Sequence, residues 1–145
     1  MIAAEFRATA VKQIAGDAGV KRVRQGFGKG VRKCLSIIER HHKRYEFHRV
    51  SSGPPDPYKL TRRSQNLVNN YLIYPKSAAE IERQLWGAYG SDWPYAAVHE
   101  YGSVARGIPA RPGVQYTLDA KQNEIDKIIG VEIERSIDRG SNATA

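Results

Sequence analysis

The sequence predicts an α+β fold: a small antiparallel β-sheet flanked by a long N-terminal helix and an amphipathic C-terminal helix. Three observations carry that prediction. Val31, Cys34, Leu35, Ile38, His42 and Tyr45 recur at three- and four-residue spacing, which lays one apolar stripe along a helix over 31–45. Tyr116, Leu118, Ile125, Ile128, Ile129, Ile133 and Ile137 continue with near-helical spacing, so the longest helix falls over 114–138. Between the two, Tyr71-Leu-Ile-Tyr74 is aromatic and β-branched and is stopped by Pro75, the pattern of a strand.

The elements follow in order. Ile2, Phe6, Ala10 and Ile14 recur every four residues and predict an amphipathic N-terminal helix punctuated by Gly16 and Gly19. Residues 20–30 are basic and loosened by Gly26, Gly28 and Gly30; since glycine costs about 1 kcal/mol relative to alanine inside a helix, 20–45 reads either as one bent helix or as two. Residues 51–58 form a loop, because Pro54, Pro55 and Pro57 remove backbone donors and bias their predecessors away from helix. Residues 60–67 are polar and short and read as a turn or a single helical turn. Residues 77–89 are ambiguous. Ser77-Ala-Ala-Glu80 matches a capping box and favours a helix, while Ile81, Leu85 and Gly87 fall on one parity and favour a strand paired with 71–75; the strand is the preferred reading. Asp119, Glu124, Lys127, Glu132, Arg135 and Asp138 alternate in sign along the wet side of the last helix, and 140–145 is a frayed tail.

A chain of 145 residues is the size of one domain, here 1–139, and 41% hydrophobic with 26% charged residues is ordinary globular composition. It divides into a basic helical region over 1–50, the proline-rich loop, a sheet and corner over 59–112, and the C-terminal helix over 113–139. The start, with Glu5 and Arg7 in its first turns, resembles neither a secretory signal nor a membrane span. The single cysteine, Cys34, excludes an intramolecular disulfide and a cysteine-based zinc site. Net charge is +8, and residues 1–50 hold all of the excess, with 12 Lys/Arg against 4 Asp/Glu. That asymmetry points either to nucleic acid or another acidic surface, or simply to a solvated helix face.

No catalytic, cofactor or metal constellation stands out. Gly26-Phe-Gly-Lys-Gly30 lacks the GK[ST] ending and the preceding strand of a phosphate loop, which leaves a hinge or a close backbone approach. His41 and His42 are adjacent and project about 100° apart on a helix, so they cannot share one ion, and His99-Glu100 lacks the second histidine of HExxH. Lys21, Arg22, Arg24, Lys29, Arg32 and Lys33 are candidates to face DNA or a lumen, by loose contact with phosphates, since no helix-turn-helix, zinc finger or RNP-type motif accompanies them. Residues 95–112, YAAVHEYGSVARGIPARP, make a corner: an apolar-aromatic segment around His99-Glu100, a break at Gly102, a small loop, and a Pro-Ala-Arg-Pro turn into the last helix. Tyr95, His99, Glu100, Tyr101, Gly102, Arg106, Pro109, Arg111 and Pro112 are the candidate contacts with other subunits or partners.

LTRRSQNL (60–67), YAAVHEYG (95–102) and IPARPGV (108–114) stand in an order and spacing that resemble the neck and tail-completion, or head–tail joining, proteins of long-tailed bacteriophages, the minor tail protein Z-like and virion-morphogenesis group. Gln65 stands where that family usually has glycine, and Gly113 where it has phenylalanine. The resemblance implies a non-enzymatic virion protein without cofactor, assembled in the host cytoplasm. It also implies a homo-oligomeric ring, commonly a hexamer, that completes the tail and joins it to the head around the DNA passage. Its partners would then be copies of itself, other neck and tail proteins, and DNA contacted without sequence preference. The other class of function is a basic nucleic-acid-binding protein acting outside a particle.

Overall fold

A computed structural model describes residues 8–48, 60–61 and 66–141. The fold is α+β, as expected, with two long helices, α1 (Ala8–His41) and α5 (Gly113–Ser141), running antiparallel. Ile2 and Phe6 of the predicted first helix, the proline-rich loop and the last four residues lie outside the described residues. Gly16 interrupts α1 with φ 64° and ψ −174°, a left-handed φ that favours glycine; Gly19 does not break the helix.

Residues 20–41 are one continuous helix, and the three glycines are why two backbones can meet there. A Cβ on Gly26 would lie 2.6 Å from the Glu132 carbonyl oxygen and 2.7 Å from Ile133 Cα, and one on Gly30 would lie 3.1 Å from Ile129 Cα. One turn further on, the buried Cys34 thiol donates to the Ile125 carbonyl at 3.7 Å. Positions 26, 30 and 34 therefore form the seam with α5. Gly28 points elsewhere: its Cβ would sit 2.5 Å from Glu82 Cα, so α3 (Ala78–Gln84) packs on the adjacent face. Of the two roles left open for the glycine segment, close approach is the one realised.

At its C-terminal end α1 widens into a π-helical turn, His42–Glu46, and becomes extended at Phe47 (φ −105°, ψ 113°). The strand β1 (Phe47–His48) pairs in parallel with β2 (Leu60–Thr61), so the start of the 60–67 segment is strand, and α2 (Asn66–Asn69) supplies the single helical turn. The antiparallel pair is β3 (Leu72–Tyr74) with β4 (Ala88–Gly90), in the register Ile73 opposite Tyr89.

One expectation is corrected. Most of 77–89 is helix: the Ser77 hydroxyl accepts the Glu80 N–H at 3.4 Å, half of the capping box, and Ile81 is buried against the rest of the fold. The helix stops at Leu85, left-handed at φ 56°, and only then does the strand begin. The apparent two-residue parity of Ile81 and Leu85 is equally a four-residue spacing, and the cap decided between them. The corner opens with α4 (Pro94–Tyr101), whose proline at the first position needs no N–H partner.

The core centres on Phe47, Val68, Tyr71 and Ala96, with Leu67, Tyr89 and Val114 packed against it. Cys34, Leu35, Ile38 and Ile81 are buried as well, where α1 meets α3 and α5.

Candidate functional site

The π-helical turn delivers His42 into the core, where it is wholly buried. Its ring stands edge-on to Phe47 at 5.0 Å, to Tyr71 at 4.6 Å and to Tyr89 at 5.5 Å between centroids. Such edge-to-face pairs add about 0.5–1.5 kcal/mol each beyond the area they bury. His42 Nδ1 lies 2.9 Å from the Tyr89 hydroxyl, while Nε2 has no hydrogen-bond partner and faces Glu100 Oε1 at 3.9 Å. Burial, then the positive charges of Lys43 and His41, push the His42 pKa down to about 4, so the ring is neutral at pH 7.

Glu100 ties this cluster to the start of α5. Its Oε1 accepts the Val114 N–H at 3.1 Å and the Tyr71 hydroxyl at 3.3 Å. A carboxylate at a helix N-terminus satisfies an orphan donor and meets the positive end of the helix dipole. Burial raises the Glu100 pKa, opposed by those two hydrogen bonds, and burial likewise raises the phenols of Tyr71 and Tyr89. At Gly113 a Cβ would come within 2.9 Å of His42 Nε2, because the histidine ring fills that space. His41 Nδ1 sits 3.4 Å from the hydroxyl of the buried Thr117. His42, Tyr71 and Thr117 are buried and His41, Tyr89 and Glu100 half-buried, and the chemistry of the cluster is that of a polar joint binding α1, α4 and α5 together.

His99 and Glu100 do not converge on one point. His99 is half-buried, its Nδ1 lacks a hydrogen-bond partner, and burial with the nearby Arg111 charge lowers its pKa. Its carbonyl accepts the Arg111 N–H at 2.8 Å, which pins the loop back onto α4. Gly102 ends α4 at φ 76°, and Ser103 and Ile108 exchange backbone hydrogen bonds of 2.8 and 3.0 Å around a 3₁₀ turn, Val104–Arg106. The predicted contact residues thus separate. Glu100, Gly102, Arg111 and Pro112 build the corner, whereas Tyr95, Tyr101, Arg106 and Pro109 are exposed on it. Tyr101 is 84% exposed and Val104 fully so, on a loop whose ends are fixed.

The basic candidates separate too. Lys21, Arg24, Arg32 and Lys33 are exposed, and Arg22 and Lys29 half-buried. Lys33 Nζ contacts Glu132 Oε1 at 2.6 Å, and Arg135 reaches the same oxygen at 3.0 Å; the Lys33 hydrogen bond chiefly holds the Glu132 carboxyl below its usual range. Lys29, Arg32 and Lys33 share a groove between α1, α3 and α5, which Lys21, Arg22 and Arg24 do not line.

The buried cluster was missed in the sequence, although His42 already sat on the apolar stripe of 31–45. Tyr89, Thr117 and Arg139 carried no comparable signal, whereas Arg40 already stood among the basic residues of the first third. Cys34 is buried, and burial followed by the charge of Asp126 raises its thiol to about 11. Among the described residues no three His, Cys, Asp or Glu side chains gather as metal ligands, and no helix is long and apolar enough to cross a membrane.

No protein-family model and no solved structure matches the chain. It is 46% identical over 41 residues to an uncharacterized protein of Methanocaldococcus jannaschii, a stretch covering 28% of this chain and 30% of that protein. The chain therefore spans less than a third of the length of that relative.

Proposed function

We propose that the protein is a structural component of a tailed-bacteriophage virion, forming a ring at the neck or tail end that completes the tail and joins it to the head around the DNA passage. The observation that carries this reading is the corner. Tyr101 and Val104 stand in water on a segment held by paired backbone hydrogen bonds and stapled to α4. Large apolar groups on a fixed, outward-pointing element mark a surface that is covered in an assembly. A closed ring joins two different patches of each subunit, and this element supplies one of the two. The three motifs shared with neck and tail-completion proteins agree, and the net charge of +8 suits a rim or lining close to DNA.

Negative-stain imaging of the purified protein tests the proposal, with Tyr101→Ser/Val104→Asp as the companion variant. Rings are expected from the native chain, and folded single subunits from the variant, whose changes touch only exposed side chains. A native protein that shows single particles at every concentration would overturn the ring. The other class of function, nucleic-acid binding outside a particle, predicts that outcome together with sequence-selective DNA binding by a monomer.

A further inference from the structure

The basic side chains do not act as one patch, because the fold gathers some of them into a built groove. Lys29, Arg32, Lys33 and Arg40 come from successive turns of α1, Arg139 comes from α5, and together they line an open groove of about 610 Å³. Two carboxylates share it, Glu82 and Glu132, and Glu132 is already held by Lys33 and Arg135. Lys29, Arg32, Arg40 and Arg139 make no ion pair among the described residues. Five basic side chains against two carboxylates leave an excess of positive charge, which raises the local potential and favours an anion that can meet several cations at once.

The geometry points to the phosphate backbone of duplex DNA as the occupant of this groove, contacted without reading bases. From Lys29 to Arg40 the helix rises about 16 Å, at 1.5 Å per residue. A DNA strand carries one charge per about 3.4 Å of axis, so that run of cations spans roughly four to five phosphates of one strand. Arg32 and Arg40 are exposed on α1, able to reach a backbone laid along the groove, and Arg139 bounds it from the opposite helix. Ser36, a neutral donor whose hydroxyl bonds the Arg32 carbonyl, lies between them. The site deepens the neck reading by assigning the DNA contact to the groove-facing cations of α1 and α5 rather than to the basic N-terminal third at large. It rests on that reading only for the choice of DNA as the anion.

Fluorescence anisotropy with a random-sequence duplex, followed from 50 to 200 mM salt, tests it. Arg32→Ala/Arg40→Ala should flatten the log–log salt dependence by about 1.8 and weaken binding at least about tenfold at 0.1 M salt, because each lost phosphate contact removes about 0.9 from the slope. Both arginines are exposed, and an unchanged melting temperature would show that the fold is intact. Lys21→Ala/Arg24→Ala, equal in charge but outside the groove, should change the slope by less than half as much. The groove is overturned if the two double variants behave alike, if neither changes the slope, or if poly-glutamate binds as tightly as the duplex. Sedimentation of the same samples reads ring formation separately. Rings with an unaltered slope sink the groove alone, and an altered slope without rings sinks the neck reading alone.

Discussion

The aromatic joint and the helical arm are held together by opposite means. At the joint, large rings and a carboxyl interlock: Phe47, Tyr71 and Tyr89 stand edge-on around His42, and Glu100 joins Tyr71 to the first turn of α5. Along the arm, α1 approaches α5 closely because Gly26 and Gly30 carry no side chain where the two helices meet. The joint turns most of its polar groups inward. The arm brings two backbones together and leaves its long charged side chains at the edges of the seam, free to face outward. A buried His–Tyr–Glu cluster resembles catalytic equipment, yet the outward-facing chemistry lies on the arm and on the exposed corner.

The contrast can be broken from either side. Tyr71→Ala should have the largest effect, a loss of about 3–5 kcal/mol in chemical denaturation, since it empties the centre of the joint. An arm substitution of comparable size that cost as much would erase the distinction. Acid comes next. His42 has a folded pKa of about 4, below its unfolded value of 6.5, so the unfolded chain takes the proton first. The stability it contributes is complete above pH 6.5 and is lost as pH falls toward 4, on the order of 3 kcal/mol in all. His99, also lowered, acts with the same sign. Glu100, raised by burial, acts with the opposite sign, because the native state protonates it first. Glu100→Gln should therefore steepen the fall in stability between pH 6.5 and 4, measured by urea midpoints across that range. A flatter profile would contradict the assignment.

The smallest effects separate glycines on the same hairpin. Gly26→Ala should destabilise, because overpacking against the Glu132 and Ile133 backbone costs about 1–3 kcal/mol and outweighs the roughly 1 kcal/mol of helix propensity gained. Gly130→Ala meets nothing within 4 Å and should instead stabilise by up to about 1 kcal/mol. Thermal melts giving the two variants the same sign would mean that Gly26 is not a contact between backbones.

The long elements were legible because their periodicity spans many turns: the stripe of 31–45 and the isoleucines of 114–138 each fix a helix, and Pro75 fixes the end of β3. Residues 77–89 were misread because a seven-residue helix offers too few turns to distinguish spacing of two from spacing of four. There the decisive signal was the Ser77 cap. The corner carried no helix or strand assignment, although Pro94 followed by seven residues without a breaker is a helix start. The close approach at Gly26 and Gly30 was foreseen as one of two roles, but its partner on α5 lies about a hundred residues away. For the same reason the groove's Arg139 could not be joined to Arg40. Distance along the chain hid the site, while each residue type was in plain view.

Analytical ultracentrifugation of the native chain in 1 M salt tests the central claim most directly. Charge contacts are screened within about 3 Å at that ionic strength, whereas apolar contacts at the corner are not. The account predicts a closed oligomer that persists in 1 M salt while duplex DNA dissociates. A monomer under those conditions, or an oligomer that falls apart together with the DNA complex, would contradict it.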